Sequence, residues 1–263
     1  MQRAPTLRLL LTLAALFLLA AAVLAGTGLN QPAFLALNDA AARWLPQALP
    51  SCLTILGHGL AAVMLLALLL PRAPQVLAAG LYAAPLGGLL SAVGKRLAAS
   101  PRPAAVLDPA GFHIQGQVLN GHNAFPSGHS ITVFLAVTVV ALGYPPLRTR
   151  WWLLCVLLAT AALVGASRIM VGAHWPSDAL GGAALGILAG LAGDMLARRW
   201  TYWQRPGAST VFALVVLACA AALLAVDTGY PLALPLQWVL AALGAGAALA
   251  TLGRQWRAAR SPP

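Results

Sequence analysis

The stretch FPSGHSITVFLAVTVVALGY, residues 125–144, passes from a polar cluster into an uncharged apolar run. Phe125-Pro126-Ser127-Gly128-His129-Ser130 supplies a helix-start pattern, and no charged side chain follows as far as Tyr144. Such a run predicts a helix that leaves a polar surface and enters a hydrocarbon layer.

The pattern recurs. The chain has 263 residues, 60% of them hydrophobic and only 8% charged, against roughly 25% charged in a soluble domain. Apolar runs predict spans near 8–26, 51–70, 76–94, 127–144, 151–167, 178–196, 209–226 and 233–252. The expected fold is therefore an all-α, polytopic membrane bundle of about eight spans. Arg3 and Arg8 ahead of a Leu/Ala run also fit a signal peptide, but the adopted reading is an uncleaved first helix.

The net charge of +11 does not indicate nucleic acid, because the basic residues sit in short connections rather than on one stripe. They set topology instead. Arg3, Arg8, Arg72, Arg148, Arg150, Arg198, Arg199, Arg205, Arg254, Arg257 and Arg260 fall on one side, expected to be cytoplasmic. Arg43, Lys95, Arg96, Arg102 and Arg168 fall on the other. Cys52, Cys155 and Cys219 have no metal-type spacing and read as small apolar residues.

Three polar blocks abut the spans. Lys95 to Pro103 follows the third span, Phe125 to Ser130 opens the fourth, and Ser167 to Asp178 bridges the fifth and sixth. Parity brings all three to one face of the membrane. Lys95, Arg102 and Arg168 then converge with His129, His174 and Asp178 as an anion site with acid–base groups attached. Ser127, Gly128 and His129 offer the unpaired N–H groups of a helix start, and Gly128 keeps that approach free of a side chain. Arg102 and Arg168 present planar forks to phosphate oxygens, and Lys95 a point charge. His174 and Asp178 lie four residues apart, so a carboxylate can fix the imidazole tautomer and free the other nitrogen as a nucleophile.

No metal or cofactor is expected. Two-metal phosphatases need several carboxylates, and this chain has five Asp, scattered, and no Glu. His113 and His122 read as solvated loop residues, and His58 as a neutral, hydrogen-bonded histidine at a helix contact. Gly182, Gly186 and Gly190 read as a close-packing face.

Lys95 to Pro103, Pro126 to His129, and Ser167 through His174 to Asp178 together resemble the signature of the type 2 phosphatidic acid phosphatase family, related to vanadium haloperoxidases. The resemblance covers residues 95–178. It implies that His174 attacks phosphorus, that Asp178 orients it, and that His129 protonates the leaving oxygen. Lys95, Arg102, Ser127, Gly128 and Arg168 would bind phosphate. It also implies a six-helix core, placed at 1–205, with residues 206–263 as two added C-terminal spans and a basic tail.

The expected activity is hydrolysis of a membrane lipid phosphate: undecaprenyl pyrophosphate, phosphatidylglycerol phosphate, phosphatidic acid or phosphorylated lipid A. The expected partners are that lipid and the bilayer, with no nucleic acid. The expected location is a bacterial inner membrane, with the site facing the periplasm or exterior. A lipid phosphotransferase using the same phosphohistidine, and a non-catalytic transporter or anion-binding protein, are the alternatives.

Overall fold

The computed structural model describes residues 3–148 and 150–260. Its helices are α1 (Arg3–Gly26), α2 (Asn30–Trp44), α3 (Ala48–Leu56), α4 (Gly59–Ala67), α5 (Pro74–Ala98), α6 (Pro103–Val106), α7 (Gly128–Gly143), α8 (Trp151–Met170), α9 (Pro176–Arg199), α10 (Ala208–Ala225) and α11 (Leu234–Arg260). The fold is all-α, as expected. Among the described residues, six helices are long and apolar enough to cross a membrane, and the bent pair α3–α4 makes a seventh candidate. The protein is an integral membrane protein.

Two of the eight expected spans differ from a straight crossing. The second breaks between α3 and α4 with a bend of 71°. Glycines flank the break at Gly57 and Gly59, and His58 between them is extended (φ −73°, ψ 136°). A β-carbon on Gly57 would meet His129 and Val164, so α3 approaches α7 and α8 closely there. The fourth span, α7, has only 16 residues, short of the ~20 that cross a full hydrocarbon core. Helix α2 lies outside every expected span.

Helix α9 is the axis of the bundle. Its small residues let neighbouring backbones approach. β-Carbons on Gly182, Gly186 and Gly190 would strike the backbone or side chains of α7 and the Ser127 carbonyl just before it, and one on Gly193 would strike α5. On its other flank α1 buries Leu10, Ala14 and Ala21. Arg3 pairs with Asp194, which also accepts from Arg198 Nε at 3.2 Å. Asp194 lies about 24 Å along α9 from Asp178 at ~1.5 Å per residue. This ion-paired end is thus opposite the end where α5, α8 and α10 finish.

Exposed tryptophans mark both ends. Trp238 and Trp256 of α11 are exposed and lie about 27 Å apart along the helix axis, close to a hydrocarbon thickness of ~30 Å. Trp151, Trp152 and Trp200 are exposed at the Trp256 end, as an interfacial belt requires.

Candidate active site

The polar blocks meet at the end opposite the Arg3–Asp194 pair. Lys95 sits in the last turn of α5, half-buried, while Arg96 beside it is exposed. The chain leaves that helix through Ala99, whose left-handed backbone (φ 42°) returns its N–H to the Lys95 carbonyl at 3.1 Å. The following segment pairs with the end of the long loop. Arg102 N donates to Gly121 O at 3.0 Å and Ala124 N to Ser100 O at 3.0 Å. Arg102 is thereby turned inward and buried.

The third block is shaped by a tight cap. The Arg168 carbonyl accepts the N–H groups of Ala173 (3.0 Å) and His174 (3.1 Å). Gly172 makes the reversal with φ 78° and sits against the His113 carbonyl and Phe112, where a side chain would be both strained and blocked. His174 returns beside Arg168 as a result. Pro176 then opens α9, and Asp178 lies in its first turn.

His174 and Asp178 are both buried. Asp178 Oδ2 is 3.4 Å from His174 Nδ1 and accepts the Trp175 N–H at 2.9 Å. One oxygen both caps α9 and orients the imidazole. With Nδ1 donating to Asp178, Nε2 keeps its lone pair, and Arg102 Nη1 lies 3.4 Å from it. Burial, and next the charges of Arg168 and Arg102, hold the His174 pKa well below its ordinary value. The group is a neutral imidazole with a free nitrogen among cations, suited to meeting an anion.

The two arginines are held by neutral acceptors. Arg102 Nε donates to Asn123 Oδ1 at 2.7 Å and its Nη1 to Ala173 O at 2.9 Å. Arg168 Nη1 donates to the Tyr230 hydroxyl at 2.7 Å, and its Nε is buried with no hydrogen-bond partner among the described residues. Lys95 lies near enough for its charge to act on His174, as do those of Arg102, Arg168 and His129.

The second block starts α7. Ser127 is fully buried, its N–H donates to the Asp178 carbonyl at 3.0 Å, and its Oγ accepts the Ser130 N–H at 3.5 Å. A β-carbon on Gly128 would meet Ser91 Oγ at van der Waals distance. His129 faces His58 with ring centroids 6.4 Å apart. From this pair a cavity of about 340 Å³ runs between α4, α5 and α7, past Ser91, to Leu66 and Leu77. Leu77 and Ser91 are about 21 Å apart along α5 at ~1.5 Å per residue.

All eight residues singled out from sequence thus fall in one neighbourhood. His113 and His122 are exposed, as expected. His58 departs from expectation. It occupies the α3–α4 break, lines the cavity, and its Nδ1 is buried without a hydrogen bond to any described residue. At the bend its ring faces His129 and the cavity, where Nδ1 finds no partner among the described residues. Asn123 and Tyr230 were not anticipated. Neither belongs to a charged or motif-bearing segment, although the Gly229-Tyr230-Pro231 turn marks a fixed corner.

Fold and site together define a polytopic membrane protein with a cation-lined polar site flanked by two histidines. The chain belongs to the PAP2 superfamily, whose family model matches residues 75–206. It is 38% identical over 102 residues to a lipid A 1-phosphatase of Rhizobium johnstonii, covering 38% of each chain. It is 42% identical over 71 residues to a lipid A 1-phosphatase of Porphyromonas gingivalis, covering 27% of this chain and 16% of that one. The chain thus spans well under half the length of these curated relatives. The crystal structure of Aquifex aeolicus LpxE superposes with a TM-score of 0.54 at 27% identity, covering 63% of this chain and 94% of that one.

Proposed function

We propose that the protein is a lipid phosphatase that removes phosphate from an envelope glycolipid of the lipid A kind through a phosphohistidine. The observation that carries the lipid reading is the cavity leading from His129 to Leu66 and Leu77. It is apolar along its length and polar at the site, through Ser91, His58 and His129, which suits a ligand with an apolar chain and a polar head. The two lipid A 1-phosphatases support the glycolipid choice.

In this reading Arg102, Arg168 and Lys95 hold the phosphate oxygens, together with the Ser127 hydroxyl and the N-terminal N–H groups of α7 near Gly128. His174 Nε2 attacks phosphorus. The bond from phosphorus to the lipid oxygen breaks, and His129 protonates that oxygen as it leaves toward the cavity. Asp178 stabilises the positive charge that develops on the imidazole. His129 then takes a proton from water, whose oxygen bonds to phosphorus as the N–P bond breaks. Inorganic phosphate and free His174 result.

The setting proposed is a bacterial inner membrane with the site toward the periplasm. Eleven of the 16 Lys and Arg residues belong to the opposite end or the connections there, which supports reading that end as cytoplasmic.

Phosphate release by the detergent-purified protein tests the function. The panel holds phosphorylated lipid A, undecaprenyl pyrophosphate, phosphatidylglycerol phosphate, phosphatidic acid and a water-soluble phosphate ester. The fastest release is expected from lipid A. Release from none of the lipids would overturn hydrolysis, and release only with an added lipid acceptor would indicate phosphotransfer.

A further inference from the structure

Tyr230 reaches the phosphate site from outside the stretch that the family model covers. It lies in the connection between α10 and α11, 62 positions from Arg168 in sequence, and is buried. Its hydroxyl accepts from Arg168 Nη1 at 2.7 Å, and the Arg168 guanidinium carbon stands 5.5 Å from the centre of its ring. Phenol oxygen and ring face together fix the plane of a buried guanidinium, which otherwise rotates about several bonds. The remaining Arg168 donors include Nε, which has no hydrogen-bond partner among the described residues.

The connection is built to be rigid. Gln237, buried in α11, donates from Nε2 to Val226 O at 3.0 Å and accepts from Thr228 Oγ1 at 3.1 Å. Gly229 N donates to Asp227 Oδ1 at 2.8 Å. The Tyr230 ring packs on Gly116, where a β-carbon would collide with Gly229 and the ring. Helices α10 and α11 anchor this corner by packing on α4, where Gly244 admits Met64.

We infer that Tyr230 is a positioning residue for phosphate binding: it holds Arg168 so that its free N–H groups face the phosphate, which makes the α10–α11 hairpin part of the phosphate site. The inference rests on the phosphatase reading above. Removing the hydroxyl leaves Arg168 buried with one more unsatisfied donor and an unfixed plane. The loss falls on phosphate affinity, with a modest cost in stability that leaves the fold in place.

The test compares the parent, Tyr230→Phe, Arg168→Lys and the double variant, all detergent-purified. Two readouts are the thermal stabilisation given by inorganic phosphate, and KM and kcat on the lipid that the parent hydrolyses. Tyr230→Phe is expected to stay folded without phosphate and to melt somewhat below the parent, as one unsatisfied buried donor requires. Its phosphate Kd and its KM should rise about tenfold, the scale of a hydrogen bond to a charged group, with a smaller change in kcat. In the Arg168→Lys background the same substitution should change phosphate Kd less than about twofold, because the guanidinium it positions is gone. An unchanged Kd in Tyr230→Phe, or an equal loss in both backgrounds, overturns the positioning role while leaving the phosphatase reading intact. A Tyr230→Phe protein that is unfolded without phosphate also overturns it, since the hydroxyl would then serve the fold. A parent that neither binds phosphate nor hydrolyses any lipid removes both.

Discussion

A single carboxylate oxygen, Asp178 Oδ2, accepts the Trp175 N–H at 2.9 Å and faces His174 Nδ1 at 3.4 Å. The start of α9 and the orientation of the proposed nucleophile therefore depend on the same atom, and substitutions at Asp178 can separate the two.

Asp178→Asn keeps an oxygen able to accept both hydrogen bonds and removes the charge. We expect kcat to fall by orders of magnitude, up to about 10⁴-fold, through loss of imidazolium stabilisation and of the correct tautomer, with little change in melting temperature. Asp178→Ala loses both bonds, so it should be less active and should also melt lower, by the ~1 kcal/mol scale of a helix cap. Steady-state kinetics and thermal melts on the two variants check the separation.

The environment of His174 sets a pH expectation. Its pKa in the folded protein lies well below the ordinary histidine value, first through burial and then through Arg168 and Arg102. The nucleophile therefore stays neutral in mildly acidic solution, and the acid limb of kcat/KM should not fall at the ordinary histidine pKa on its account. Arg102→Gln removes one cation and should move that limb to higher pH with the same substrate. The linked stability has a fixed sign. Below the ordinary pKa the unfolded chain takes up a proton that folded His174 does not. Stability is thus present above that pKa and is lost as pH falls toward the depressed value. His174→Gln should lack this part of the slope.

The contact between α7 and α9 is backbone-close. A β-carbon on Gly186 would lie against the Ile131 carbonyl, whereas one on Gly246 of α11 would have nothing within 4 Å. Gly186→Ala should lose roughly 1–3 kcal/mol by forcing two helices apart. Gly246→Ala should be neutral or gain up to ~1 kcal/mol from helix propensity. Melting in detergent, read side by side, distinguishes the two sites.

The helical class and the convergence of the polar blocks were legible because each block abuts an apolar run, and parity alone sends them to one end. The break at His58 was not, since hydropathy averaged over 51–70 does not register a bend. Gly57 and Gly59 were the available signals. Helix α2 mixes Asn38, Asp39 and Arg43 with apolar residues, which hid it from a search for spans. Its Asn38 is nevertheless buried, donating to His113 O at 2.8 Å. The Tyr230–Arg168 and Asn123–Arg102 contacts arise only on folding. Nothing local in a Gly-Tyr-Pro turn or an Asn in a long loop announces the arginine it will meet.

Trapping the covalent intermediate tests phosphohistidine chemistry most directly. The purified protein is mixed with phosphate-labelled lipid in excess EDTA, quenched within one turnover under alkaline conditions, and mapped by mass spectrometry. The expected result is phosphate on the imidazole of His174, present with the chelator and absent in His174→Gln. Lipid turnover with no label on His174, or turnover abolished by EDTA and restored by one divalent ion, would contradict it.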